Sequence, residues 1–269
     1  MDPLFSPPRL LLGFIVLFAI FVPLEHLFPV VRRQFWQRKG MWTDLLHFVA
    51  TGGVRKILTL LVSFALIQLL GFLVYPPLQH AMLSLPRWAQ FLTGIFVFEL
   101  GAYWGHRWAH AVPWLWRFHA VHHSSEHLDW LAAVRLHPLD QTFIRVCGIL
   151  PVYLLGFTKE TFGFLLAVDA LLAVFIHANI RWRFGWLEWL VATPAYHHWH
   201  HANDGPKTSN KNFGGLLPVV DLMFGTLHLP PTMPRKYGIN EPMSQNYLRQ
   251  MSAPFEKRPA PAVSDPVAQ

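Results

Sequence analysis

Three short runs hold most of the side chains able to do metal chemistry: HRWAH (His106–His110), HAVHH (His119–His123) and HHWHH (His197–His201). Of the chain's 16 histidines, 12 fall between His106 and His201. In a helix, residues four apart share a face, so His106 and His110 can reach one ion. Within HAVHH, His119 and His122 or His123 share a face, while His123 points about 100° from His122. Such a triplet can give two rings to one ion and the third to a neighbour. His197, His200 and His201 repeat that spacing, and His198 is an extra member without a counterpart. Neutral imidazole suits iron, zinc and copper. Eight rings exceed what one ion takes, so two ions are expected, each with about four protein ligands.

Other residues extend the set. His177, in FIHAN, is a candidate ninth ligand, and Asp169 lies eight residues before it on roughly the same face. His137, in RLHP, is expected behind the ligands or facing substrate. Glu99 precedes His106 by seven residues, on a stripe shared with Tyr103, and is positioned to accept the outer N–H of a ligating ring. His26, His47, His80, His127 and His228 are expected to be solvated. Cys147 is alone in an apolar run and reads as a small packing residue.

These clusters need elements to carry them, and the composition says which. Charged residues make up 14% of the 269-residue chain, against about 25% in an ordinary soluble domain. A bilayer is the implied solvent. Apolar runs at 10–31, 57–85, 88–105 and 142–180 predict an all-α integral membrane protein. It has about four transmembrane helices, the last run being a hairpin that crosses or dips in, plus a cytoplasmic histidine-rich helical cap. The first run lacks a small-residue cleavage site and reads as a retained helix rather than a signal peptide. The formal charge of +7 sits beside apolar runs, at Arg32-Arg33, Arg38-Lys39, Arg55-Lys56 and Arg181/Arg183. That is the pattern of membrane-flanking charge, and with no nucleic-acid motif beside it nucleic acid is excluded as a partner. The basic 32–44 loop then lies in the cytoplasm, and so do His106 and the clusters after it. The expected divisions are residues 1–90 as N-terminal transmembrane helices, 91–230 as a catalytic domain and 231–269 as a largely disordered tail.

With WRFHAVHH, RLHP, FIHAN, PAYHHWHH, NFGG (Asn212–Gly215) and DLMFGT (Asp221–Thr226) in this order, the chain resembles the fatty acid hydroxylase and sterol desaturase superfamily from about Glu99 to Thr226. The resemblance implies an O2-dependent reaction at a non-haem di-iron centre facing the cytosol. Zinc is able to replace iron in isolated protein. His106, His110, His119, His122, His123, His197, His200 and His201 fall on the family's eight-histidine motif, and His177 where another ligand is often supplied. Asp140 stands after RLHP where that pattern leads one to expect glutamate, and is a further candidate beside the ligands. The implied reaction is hydroxylation or desaturation of a membrane lipid, reached by an apolar route near Phe162, Phe164 and Trp182. Sterol, acyl chain, ether lipid, aminolipid and carotenoid all stay open as substrates. No nucleotide-binding fingerprint and too few cysteines for an iron–sulfur cluster are present, so a separate ferredoxin or cytochrome with its reductase is expected. Arg107, Arg117 and Arg181 are candidates to dock it. The rival readings are a metal transporter or sensor, a zinc-stabilised scaffold without oxidase activity, and a zinc hydrolase. Transporters bind cargo near the bilayer midplane, whereas these histidines sit at helix ends, and the HExxH of many zinc hydrolases is missing.

Overall fold

The computed structural model describes residues 7–32, 34, 37–206, 208, 210–241 and 243–256. It is helical, with two isolated β-bridges and no strand among the described residues. Helix α1 spans Pro7–Leu27. Helix α2 (Met41–Leu46) continues through a π-helical turn at His47–Thr51 into α3 (Gly52–Leu70). Then follow α4 (Pro76–Leu83), α5 (Arg87–Ala111), α6 (Pro113–His123), α7 (Pro138–Leu154), α8 (Lys159–His177), α9 (Pro194–His200), α10 (Pro218–Met223) and α11 (Tyr247–Ser252). Helix α7 packs against both α3 and α5, and α5 also meets α6 and α8.

Among the described residues, three stretches are long and apolar enough to cross a membrane: Pro8–Leu27, Met41–Leu73 and Lys159–His177. Their outer faces are apolar and open, as at Leu11, Leu12, Leu60 and Phe64. Faces of this kind are disfavoured in water and suit lipid contact. The other expected span, α5, has 25 residues, but Glu99, His106, Arg107 and His110 make its second half too polar to join that group.

Proline sets several boundaries. It lacks an N–H and fits the first helical turn, where that hydrogen would have no partner. Pro113, Pro138, Pro194 and Pro218 each open a helix, and three of these helices bear or neighbour the histidine runs. The expected 57–85 helix instead begins at Met41 and stops at Leu73, and Pro76 starts a new helix after an extended Tyr75. The 88–105 run reaches Ala111, because HRWAH is itself helical.

Side chains between elements correct other expectations. Arg38 is not a membrane-flanking charge. It is buried in ion pairs with Asp44 and Asp129, and Arg135 shares Asp44. Four charges pairing in one place make their burial tolerable. Glu25 accepts the backbone N–H groups of Trp130 and Asn179, tying α1 to the end of α8. His47 is buried rather than solvated, bonded to Gln250 Oε1 at 2.9 Å. The segment 231–256 is not a loose tail. Tyr237 bridges to Ala202, Asp204 accepts the Arg235 and Lys236 amides, and α11 docks Gln250 on His47. Residues 257–269 of the expected tail lie outside the described residues.

Candidate metal centre

The histidines converge into two adjoining groups. His106, His110, His119, His123 and His200 form one, and His122, His177, His197 and His201 the other, with ligand atoms in each within 4.8 Å of one another. Each triplet is split as its spacing allows. His119 and His123 go to the first group and His122 to the second; His197 and His201 go to the second and His200 to the first. An i,i+4 pair plus one ring from the other triplet thus recurs on both sides. The pair His106/His110 completes the first group, and His177 alone completes the second, which has one ring fewer. The His123 and His201 rings stack across the junction, centroids 4.4 Å apart.

Local structure fixes these rings from behind. His106 Nδ1 donates to the Phe213 carbonyl (2.7 Å), His122 Nδ1 to Arg135 (3.1 Å), His177 Nδ1 to Ala173 (2.6 Å) and His200 Nδ1 to Lys211 (2.9 Å). His119 Nδ1 donates to the Asp140 carboxylate at 3.0 and 3.1 Å. These acceptors commit the Nδ1 hydrogen outward and leave Nε2 a bare lone pair. Yet His106 Nε2 and His119 Nε2 lie 3.0 Å apart, and His122 Nε2 and His177 Nε2 3.2 Å apart. Two lone pairs cannot share a hydrogen bond, whereas a cation placed between them would satisfy both. His110 Nε2 and His200 Nε2 are buried with no hydrogen-bond partner at all. The residues therefore fit two metal ions.

Burial, reinforced by neighbouring rings, lowers the His119, His122, His123, His197, His200 and His201 imidazoles well below the usual histidine value of 6.5. They are neutral imidazoles at physiological pH, the form able to ligate a metal.

NFGG and DLMFGT form the scaffold behind this centre. Asp221 accepts the Phe213 and Gly214 amides and the Thr226 hydroxyl, and also the Tyr196 hydroxyl. Asn212, at φ 57°, holds the Tyr196 and His228 carbonyls. A Cβ on Gly214 would meet Glu99 Oε1 at 2.8 Å and Asp221 Oδ2 at 2.9 Å, so only glycine fits. This loop delivers the Phe213 carbonyl to His106 and the Lys211 carbonyl to His200.

Three candidates take other roles. Glu99 holds no ring; it accepts the Leu216 and Leu217 amides. His137 caps α7 through the Leu139 amide and reaches the Met251 carbonyl at 3.3 Å, so it serves the helix start. Asp169 contacts Arg145 rather than a ring. His198, without a role in the sequence pattern, donates to or accepts from the Tyr237 hydroxyl (2.8 Å) and bonds the Ala178 carbonyl (3.0 Å) just after His177. Tyr237 carried no signal in sequence.

A cavity of about 470 Å³ opens against both groups, touching His106, His119, His122, His177 and His197. Leu17, Val134, Ile144, Leu171 and Val174 supply its apolar wall. Phe162, Phe164 and Trp182, expected on the route, do not line it. Trp182 packs on Phe28, and Phe164 on Phe91. A second opening, of about 300 Å³ and edged by Asn203, Asn210 and Asn240, meets His110, His123, His200 and His201.

A family model described as fatty acid hydroxylase matches residues 91–226. An ornithine lipid hydroxylase of Rhizobium tropici is 32% identical over 248 residues, covering 89% of this chain and 73% of that protein. An alkylglycerol monooxygenase of Danio rerio is 33% identical over 156 residues, 58% of this chain and 34% of its own. A Δ7-sterol 5(6)-desaturase of Gibberella zeae is 31% identical over 109 residues, 38% of this chain and 32% of its own. The chain thus spans only about a third of the latter two. No solved structure matches.

Proposed function

Because the chain belongs to the fatty acid hydroxylase family, we propose that it hydroxylates a C–H bond of a membrane lipid with O2, at two iron ions held by its nine clustered histidines. The observation that carries this reading is the facing of bare Nε2 lone pairs, 3.0 to 3.2 Å apart, beside an apolar cavity. Bound iron supplies the redox chemistry with O2 that breaks an unactivated C–H bond, which acid and base side chains cannot do. His106, His110, His119, His123 and His200 would hold one ion, and His122, His177, His197 and His201 would hold the other.

The protein's own part is orientation and exclusion of water. Asp140 and the four carbonyls lock the tautomers, so the rings offer Nε2 without rearranging. Leu17, Leu171 and Val174 present a lipid chain to the rings from the membrane side. Hydroxylation is favoured over desaturation because the hydroxylase and monooxygenase likenesses cover more of the chain than the desaturase likeness does. An ornithine-type aminolipid is the first substrate to try, since that likeness extends over 89% of the chain. The count of four spans, the cytoplasmic face and the division at residues 90 and 230 belong to the same proposal.

The balance of the reaction is RH + O2 + two electrons + two protons giving ROH + H2O. The two electrons come from a separate ferredoxin or cytochrome with its reductase, and Arg181 is exposed for such docking. Purified protein with isotopically heavy O2, extracted membrane lipid and NAD(P)H alone should give no labelled lipid. Adding ferredoxin and its reductase should place one heavy oxygen in a lipid, and the His200→Ala variant should not. Unlabelled product, or equal product from that variant, would overturn the proposal.

A further inference from the structure

The cavity beside the rings carries charge that the metal centre does not use. Arg55 of α3, Arg145 of α7 and Asp169 of α8 line it together. Arg145 Nη2 lies 2.5 Å from Asp169 Oδ2, with the side chains 15% and 18% exposed. Neither Arg145 Nε nor Asp169 Oδ2 makes a hydrogen bond. Arg55 has no ion pair among the described residues. The other acid on the wall, Glu99, is spent on the Leu216 and Leu217 amides. The cavity therefore holds two guanidiniums to one remaining carboxylate, which pairs with Arg145 alone, and Arg145 keeps an orphaned donor. Isolated charge is expensive there, and ionisable side chains at membrane depth mark ligand paths more often than packing. A second anion would complete the arrangement.

We propose that Arg55 and Arg145 bind an oxyanion of the lipid substrate, a carboxylate or a phosphate, and so determine which carbon reaches the rings. Arginine's planar fork matches either group with paired hydrogen bonds. Asp169 precedes His177 by eight residues of helix, which puts the anion roughly 12 Å from the rings along the α8 axis. The oxidised C–H then lies several bonds from the charged group. This assignment rests on the cavity being the lipid substrate's, as in the proposed function.

The test is titration of the purified, metal-loaded full chain with three probes: palmitate, palmitoyl lysophosphatidic acid and neutral monopalmitin. Metal content is measured alongside. Wild-type protein should bind at least one anionic probe about tenfold more tightly than monopalmitin, and which one identifies the group. In Arg55→Gln, and in the charge-balanced Arg145→Gln/Asp169→Asn double variant, that preference should fall to about threefold or less with metal content unchanged. One arginine among the chain's 22 basic residues barely alters general surface attraction, so loss of preference reports the cavity. Equal binding of neutral and anionic probes by wild type would overturn the inference, as would a preference that survives in both variants. Anion preference without oxygen-labelled product would instead sink the hydroxylase reading and leave this site standing.

Discussion

Each clustered ring has an inner nitrogen aimed at its neighbours and, for five of them, an outer nitrogen held by a named acceptor. The only carboxylate among those acceptors is Asp140, on His119. A carboxylate makes the ring a stronger donor to metal than a carbonyl does, and partners of this kind are worth about 10- to 100-fold in metal affinity. Asp140→Asn should therefore weaken metal binding by a factor in that range, read by competition with a chelator. His137→Ala, whose ring bonds a helix start and the Met251 carbonyl and packs on Phe118 and Phe255, should retain full metal content. Equal metal affinity in Asp140→Asn and wild type would contradict the role. The rings themselves were legible because i,i+3 and i,i+4 spacing is written in the chain. Their partners were not, since four of five are backbone carbonyls, which any residue supplies. Glu99 misled for a related reason. Its place on the histidine stripe was right, but the loop at Leu216 and Leu217, distant in sequence, claims its oxygens first.

At the level of elements, the centre depends on how closely α5 and α7 approach, because α5 carries His106 and His110 while α7 carries Asp140. Gly101 makes that approach possible: a Cβ there would lie 2.1 Å from the Cys147 carbonyl. Gly101→Ala should destabilise the fold by about 1–3 kcal/mol, the usual cost of overpacking, read as a lowered unfolding temperature in detergent. Gly163→Ala on α8, with nothing within 4 Å of the new Cβ, should be neutral or slightly stabilising. Helix existence was legible from apolar runs, and proline positions explain most starts. The continuation of α2 through a π-helical turn into α3 was not, because His47 and Thr51 look polar until Gln250 and Tyr247 are seen against them.

Among the described residues, the molecule combines three helical stretches apolar enough to cross a membrane with rings carried by α5, α6, α8 and the α9 region. The proposed cytoplasmic face of the centre rests on charge asymmetry, to which Arg38 contributes less than the sequence implied because Asp44 and Asp129 neutralise it. Lys39 and Glu126 form an exposed pair, 58% and 53% open, whose loss should cost little. Single cysteines at these positions, in a Cys147→Ala background, should resist an impermeant thiol reagent in intact cells and react once the membrane is opened. Labelling in intact cells would reverse the topology. The fastening of 231–241 and 243–256 was illegible because a proline-rich composition hides the long-range bonds of Tyr237, Gln245 and Gln250. All of these features bear on one claim, that the nine rings form a dinuclear centre. Elemental analysis of untagged protein from iron-supplied cells tests it most directly. Two metal ions per chain is the predicted result; a reproducible value of one or none would contradict the account.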